Sequence, residues 1–508
     1  MKIKYYIVSL ATALFLNSCF KLEQEPYNDL SQKKAFESVR DAQFWVNGMY
    51  NELRENIHGK AMYATDIQAG YLHKKRSFAE NEADDNLYNW SLFNTSNETI
   101  ASIWKNYFAA IQNINIALDG IPTIRLSTNN SSEVTAVRRH MGELYLARAI
   151  YYTYLVTHYC PTYNETSSYG LPIMDHFIDG ELPLRSSVKE TYDFILADIA
   201  RAQERLADVG GRVGKDTFTK DAVTALKARV LLYKGDWEGA YTAATSLIAT
   251  NTYPLTTTEN ALKQAWATDA TSESITLLYA RYDQGVKAEL PQGNSIYLGE
   301  EKDFYGRVRY YRPKFVPTQD FVDLFANGDF RKNVYINKLF VNYSDLRYNN
   351  IYLVTKYPDN DALKNSSGDE GTYLHRPKVF RIAEQYLIAA EAAYRKGDDT
   401  NAQLYLNRLR NSRGLTTAIT ATGNTLFTEI QNERNRELAF EGFRLYDIKR
   451  WGLGVVRGTP QNEQVIVTTD PANTYQLNVP AGDNKLTWPI PATNIRYENG
   501  RWQQNPGW

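Results

Sequence analysis

Apolar residues recur at three- and four-residue steps along most of this chain, the spacing of one face of an α-helix. In Asn97 to Gly120, the residues Ile100, Ile103, Trp104, Phe108, Ile111, Ile114 and Leu118 fall on one stripe, and Gly120-Ile121-Pro122 stops it. Val137 to Tyr159 is apolar around most of its circumference and ends before Pro161, so a central, buried helix is predicted there. Glu190 to Val209 forms a third, closed by Gly210-Gly211.

Two helical hairpins then repeat one pattern. Lys220 to Thr250 places small Ala228 in its first helix, Gly235-Asp236 at the turn and Ala240 early in its second helix. Arg381 to Arg410 does the same with Ala390, Gly397-Asp398 and Ala402. Small residues let paired helices approach closely, and the glycine permits the positive backbone angle that ends the first helix. The pattern resembles the tetratricopeptide repeat, although the two copies are not tandem. Between them, Thr252 to Val379 is rich in Tyr, Gly, Pro and Asn, with strand-like pieces at Ser274 to Tyr279 and Ile351 to Lys356. This insertion reads as long ordered loops with little regular structure. A single helix is predicted from about Leu426 to Trp451, followed by loops and short strands.

The N-terminus has a different pattern. Lys2 and Lys4 precede a short apolar run, Ile7 to Leu16, and Leu16-Asn17-Ser18-Cys19 follows. The run is too short for a spanning helix, which needs about 20 apolar residues. It reads as a lipoprotein export signal, cleaved before a lipidated Cys19, the alternative being an ordinary secretory signal with an incidental cysteine. Cys160 is the one other cysteine, so lipidation of Cys19 leaves no intramolecular disulfide. Charge is balanced, with 57 basic and 58 acidic residues, and offers no bulk attraction to nucleic acid. The aromatic content, with 37 Tyr, 20 Phe and 9 Trp, points towards binding, since tyrosine pairs a flat apolar face with a polar tip.

Catalytic motifs are missing. The six histidines include no pair four apart around a glutamate, and there is no Gly-x-Ser-x-Gly elbow and no phosphate-binding glycine loop, so no metal or cofactor is expected. Glu433, Glu437 and Glu441 are spaced by four, on one face of the predicted helix. Arg434, Arg436, Arg444, Lys449 and Arg450 lie on the same helix and are expected to neutralise them. A general acid needs a raised pKa, and adjacent guanidinium groups act the other way. A structural ion-pair network is favoured over a catalytic carboxylate pair.

The run ERNRELAFEGFRLYDIKRW, Glu433 to Trp451, resembles the signature of the SusD/RagB family of nutrient-binding outer-membrane lipoproteins. Arg434, Glu437, Leu438, Phe440, Glu441, Gly442, Arg444, Asp447, Arg450 and Trp451 carry the match. Pro489-Ile490-Pro491, the terminal Gln504 to Trp508 and the segment Lys33 to Leu53 extend it over nearly the whole mature chain. The resemblance implies a mainly α fold, a superhelix of tetratricopeptide-like hairpins packed against an irregular, loop-rich half with a few short strands. It implies no enzyme activity. It also implies a lipid-anchored, surface-exposed protein that captures an oligomeric nutrient and closes as a lid over a SusC-like TonB-dependent transporter. The ligand implied is an oligosaccharide, or, as in RagB-type members, an oligopeptide. The domain plan is then a signal segment at 1–18, a tether at 19–32 and one unit at 33–508. Within that unit the scaffold covers about 33–250 and 380–451, the insertion 252–379 and an irregular tail 452–508.

Family members stack loop aromatics on sugar rings, with polar side chains fixing the hydroxyls. The loop before Asn97 offers Arg76, Tyr88 and Trp90, and Trp90, in a polar stretch, leads as a stacking ring. The insertion offers Tyr297, Tyr305, Tyr310 and Tyr311, interleaved with Arg307, Arg309 and Arg312. Each ring has two readings, packing within its loop or ligand contact.

Overall fold

The computed structural model describes residues 34–76, 85–126, 130–281, 296–303, 305, 307–343, 346–363, 373–466 and 476–508. The signal segment, Cys19 and the tether lie outside the described residues.

Capping side chains start the helices close to where their apolar stripes begin. Ser38 and Asp41 form a reciprocal capping box on Val39–Asn56, and Ser187 and Glu190 form another on Val188–Arg205. Asn97 accepts hydrogen bonds from the backbone N–H groups of Thr99 and Ile100 at the head of Glu98–Gly120. The central helix, Ser131–Tyr159, begins earlier than its apolar pattern, at an Asn130 cap. Its first turns are polar and largely exposed, so periodicity misses them.

Both hairpins form as their sequences predict. Lys220–Lys234 turns into Trp237–Ala249 through Gly235 at φ 82°, and Ile382–Arg395 turns into Asp399–Ser412 through Gly397 at φ 81°. Asp236 and Asp398 cap the second helices by accepting from the N–H groups of Gly239 and Asn401. Ala228, Ala240, Ala390 and Ala402 are fully buried at the helix contacts. The hairpins also pack on each other, Trp237–Ala249 lying against Ile382–Arg395. Helices distant in sequence thus continue one ladder, which runs from Val39–Asn56 through Ser131–Tyr159 and Val188–Arg205 to Gly423–Glu437.

The predicted single helix from Leu426 to Trp451 is two helices. Gly423–Glu437 ends at Leu438, a turn places Phe440 at φ 64° and Gly442 at φ 80°, and Arg444–Arg450 follows. Glu441 therefore sits in a turn, off the helix face that carries Glu433 and Glu437. Glu433 and Glu437 are fully buried and Glu441 largely so, and all three are paired, as the charge argument expected, but mostly by other cations. Arg331 bonds Glu433 and Glu437 at 2.7 and 3.0 Å, Arg381 bonds Glu437 at 3.0 Å and Glu441 at 2.6 Å, and Lys356 reaches Glu441 at 2.7 Å. Of the neighbours named from the sequence, Arg436 serves Glu433, while Arg434 and Arg450 bind Asp447. Lys449 donates to the carbonyls of Thr157 and Cys160, at the end of the central helix. Charges buried this completely hold only because each has a partner.

The insertion has more regular structure than predicted. Strands β1 (Leu72–Lys74), β2 (Ser274–Leu277), β3 (Glu300–Lys302), β4 (Val308–Tyr311), β5 (Phe315–Pro317), β6 (Ile336–Tyr343), β7 (Leu346–Val354) and β8 (Lys378–Arg381) make three sheets. Two are pairs, β1 with β5 and β2 with β8, the latter closing the base of the insertion. The third is four-stranded, in the order β3-β4-β6-β7. Its long β6–β7 hairpin carries a register shift opposite Leu339 and Phe340, with Asn350 at φ 62°. Val341, Ile351 and Leu353 cover a small second core with Leu298, Val316, Tyr373, Val465 and Ile466.

Candidate ligand-binding face

Strand alternation fixes which residues the four-stranded sheet turns away from that core. Phe340 opposes Asn349 and Asn342 opposes Arg347, so these four share the outer face with Tyr352, opposite Lys338. On β4, Tyr311 pairs with Val341, which puts the neighbouring Tyr310 on the outer side. The rings here are covered by cations. The Arg347 guanidinium lies 3.6 Å from the centre of Phe340, Arg312 lies 4.6 Å from that of Tyr310, and Lys332 and Lys338 each lie 5.3 Å from that of Tyr352. Arg347 also donates to Asn349 at 3.0 Å, and Arg312 to the Tyr310 hydroxyl at 2.7 Å.

The turn leading into β4 adds the most exposed ring. Tyr305 is 78% exposed, and the Arg307 guanidinium stands 5.1 Å from its centre. Asp303 holds Arg307 through an ion pair of 2.7 Å and accepts from the backbone N–H groups of Tyr305 and Arg307. Those hydrogen bonds, with Arg307's first, hold the Asp303 carboxyl below its usual range. The turn is thereby built around one carboxylate, with the tyrosine ring projecting into water.

The other residues singled out from the sequence are placed differently. Trp90 is fully buried, edge-on to Phe93 at 5.7 Å, and Phe93 in turn meets Trp508 at 5.3 Å. It has no face to offer a sugar, and its assignment as the stacking ring is corrected to a core position. Its polar sequence neighbours suggested exposure, but the segment at Gln476 and Lys485 covers it by hydrogen bonding to its backbone. Tyr88 is also fully buried, its hydroxyl 3.0 Å from His73 Nδ1 and its ring beneath Arg457 at 4.4 Å. Tyr297 is 1% exposed and donates to Asp66 at 3.3 Å. Asp66 also accepts from the Tyr71 hydroxyl and, at 3.2 Å, from the Gly442 N–H, so this cluster ties the insertion to the turn after Glu437. Both tyrosines are corrected to structural roles. Arg76 is half-buried and donates through Nε to the Ile466 carbonyl at 2.9 Å, beside the strand pair β1–β5.

The structure therefore brings together Tyr305 and Arg307 from the expected set. It adds Phe340, Asn342, Arg347 and Asn349, which sequence reasoning missed. The available signal was the alternation of Lys338, Phe340 and Asn342 with Leu339, Val341 and Tyr343, which marks a strand with two different faces. A small, partly open cavity lined by His58, Tyr154, Trp266, Tyr357, Arg376 and Glu441 measures about 40 Å³, room for water but not for a sugar. Wider hollows of about 610, 540 and 520 Å³ lie beside Lys220 and Thr250, beside Trp45 and Gly48, and beside Trp104 and Trp502.

Among the described residues, no group of three or more His, Cys, Asp or Glu could hold a metal ion, and no helix is long and apolar enough to cross a membrane.

Comparison with known proteins places this architecture. SusD-like protein P38 of Formosa agariphila is 26% identical over 88% of this chain and 92% of its own. A SusD superfamily protein of Bacteroides thetaiotaomicron superposes with a TM-score of 0.76 at 24% identity, covering 92% of this chain and 100% of that one. A SusD-like carbohydrate binding protein of Bacteroides vulgatus gives 0.72 at 22% identity, covering 92% and 97%. Surface glycan-binding protein A of Bacteroides fluxus gives 0.69 at 19%, covering 93% and 100%. The sequence model of the family described as starch-binding and associating with the outer membrane matches residues 22–232, and that of the SusD family matches residues 251–508. With its helical ladder, its signature turn and half of its length matched by that second model, the chain belongs to the SusD family.

Proposed function

We propose that this protein is a carbohydrate-binding lipoprotein of the outer membrane. It is held through Cys19, exposed at the cell surface, and captures an oligosaccharide for a partner TonB-dependent transporter of the SusC-like kind. The observation that carries the reading is the outer face of the four-stranded sheet with the Tyr305 turn. There, the exposed Tyr305 ring stands on a turn beside strands whose half-buried rings, Phe340 and Tyr310, lie under guanidinium groups, next to Asn342 and Asn349, whose amides suit hydroxyls. The names of the similar Bacteroides proteins, one carbohydrate binding and one glycan-binding, support the same ligand class. The balanced overall charge leaves recognition to such local chemistry.

The test is binding of the soluble protein starting after Cys19 to an array of glycans and oligopeptides. Retention on glycans supports the reading; retention on peptides alone replaces it with oligopeptide capture. In cells, Cys19→Ala is expected to release a protein that still binds its ligand but no longer supports uptake. Undiminished uptake by that variant would remove the anchored-lid part of the proposal.

A further inference from the structure

Near the start of the described chain, the helices Val39–Asn56, Glu98–Gly120 and Ser131–Tyr159 leave between them the hollow of about 540 Å³. It is lined by the buried Met49, Ile114 and Leu144, by the half-buried Trp45 and by Phe44, which is 57% exposed. Two of its residues are not explained by the fold alone. Gly48, inside the first helix, has neither a positive φ nor any neighbour beyond its own helix within 4 Å of where a Cβ would stand, although glycine there weakens a helix relative to alanine. Glu52 accepts from the Asn113 amide at 2.6 Å through one carboxylate oxygen, while the other has no hydrogen-bond partner among the described residues. Burial raises the Glu52 carboxyl above its usual range, against the Asn113 hydrogen bond, so a cation brought alongside would stabilise its charge.

We infer that this hollow is the docking surface for the partner transporter, which fills it with an apolar side chain and meets Glu52 with a lysine or arginine. The inference rests on the anchored-lipoprotein reading above and adds the surface through which the two proteins meet. Ala35, next to the first described residue, lines the hollow. The chain between Cys19 and Lys34 can span at most about 50 Å, whereas a compact chain of this size is about 60 Å across. Whatever path the tether takes, the surface around Lys34 stays within that reach of the bilayer, a limit the far side does not share. Charge selects a protein over the lipid itself. Along Val39–Asn56 and the turn before it, Glu37, Asp41, Glu52 and Glu55 are set against the exposed Arg40, since Arg54 is buried and donates to the Tyr279 carbonyl at 2.8 Å. An anionic lipid surface would be repelled by this face. An apolar side chain flanked by a cation fits both the hollow and its rim.

The experiment uses the full, affinity-tagged protein in its native cells. Phe44→Cys and, as a comparison site, Leu404→Cys on the second hairpin are labelled on whole cells with a maleimide-benzophenone and irradiated. Cross-linked species are purified and identified by mass spectrometry. A TonB-dependent barrel is expected from Phe44→Cys in at least about tenfold excess over Leu404→Cys. Without cross-linking, Gly48→Leu and Phe44→Ser are each expected to reduce the barrel that copurifies in mild detergent about fivefold or more, without lowering the thermal midpoint. Glu52→Gln, which keeps an acceptor for Asn113, is expected to reduce it about threefold.

A barrel that copurifies with the wild type but cross-links equally from both sites, from Leu404→Cys alone or from neither overturns this inference and leaves the transporter reading intact. So does a barrel that all three variants retain in full. A cross-link from Phe44→Cys to a second copy, or to the chain's own residues 20–33, also overturns it, by giving the hollow another occupant. Absence of any barrel with the wild type, cross-linked or not, overturns both readings.

Discussion

Arg413 and Glu437 meet through two parallel hydrogen bonds of 2.9 Å, at a position where neither side chain touches water. The pair joins the end of the second hairpin to the helix that precedes the signature turn. Arg413 also reaches Glu273 at the foot of β2 and the carbonyl of Thr256, so one guanidinium fastens three separate stretches of chain.

Removing one partner of a buried pair leaves the other charge stranded. Arg413→Met is expected to lower stability by about 3–5 kcal/mol in urea unfolding, even though methionine fills much of the space. Acid is expected to act on the same network. Burial pushes Glu433 up, but Arg331 and Arg436 outweigh it and hold the pKa at about 2. A depressed carboxylate contributes stability above its unfolded pKa and loses it as pH falls towards the folded value. The network's contribution is therefore expected to persist to about pH 4 and fade below it.

Asp66 behaves in the opposite sense. Burial raises its pKa to about 7 despite hydrogen bonds from Tyr71, Gly442 and Tyr297. A raised carboxylate pKa favours the folded state at low pH and counts against it as pH climbs from the unfolded to the folded value. Asp66→Asn is expected to gain on the wild type between pH 4 and 7, by on the order of 1 kcal/mol per pH unit. Paired urea titrations at several pH values would read this, and a constant difference would refute the assignment.

Trp90→Ala is expected to behave as a core truncation, with a loss of about 3–5 kcal/mol. Among the described residues Trp90 Nε1 has no hydrogen-bond partner, so Trp90→Phe deletes a buried N–H left unpaired there, and its cost is expected to be clearly smaller. Thermal unfolding of the two variants separates this from a ligand-contact role, which would leave both near the wild-type midpoint.

Tyr305→Ala provides the converse. Its ring is 78% exposed, so stability is expected to change by no more than about 0.5 kcal/mol. Loss of a stacking ring worth about 1.4 kcal/mol would weaken ligand binding about tenfold, measurable by calorimetry on any glycan retained by the array.

The helical scaffold was legible in the sequence because helix periodicity is local. Gly235-Asp236 and Gly397-Asp398 carry both the stop of one helix and the cap of the next within two residues. Arg436 was legible as a partner of Glu433, but Arg331, Arg381 and Arg413 were not, because they arrive from elsewhere in the chain. Proximity in sequence pointed instead to Arg434, Arg444 and Arg450. At the candidate ligand-binding face, Tyr305 and Arg307 were readable as an aromatic beside a cation in a loop. The β6–β7 hairpin hid because Phe340 places an apolar residue on its outer face and the shift near Asn350 breaks the alternation. Trp90 misled because burial by distant segments leaves no trace in its polar neighbours.

The pairing of β2 with β8 has a consequence for how such proteins diversify. The chain leaves the helical ladder and rejoins it at one doorway, clasped by two short strands, with Trp237–Ala249 already seated against Ile382–Arg395 beside it. The entropic cost of closing a loop rises only with the logarithm of its length. What lies beyond the doorway can lengthen or shorten in its outer loops, but Arg331 and Lys356 reach back to Glu433, Glu437 and Glu441, so these two must stay for the ladder to keep its register. A graft cut at Leu277 and Lys378 would therefore carry part of the scaffold's buried ion-pair network with it, and is expected to fold only where the incoming segment supplies cations at the places of Arg331 and Lys356.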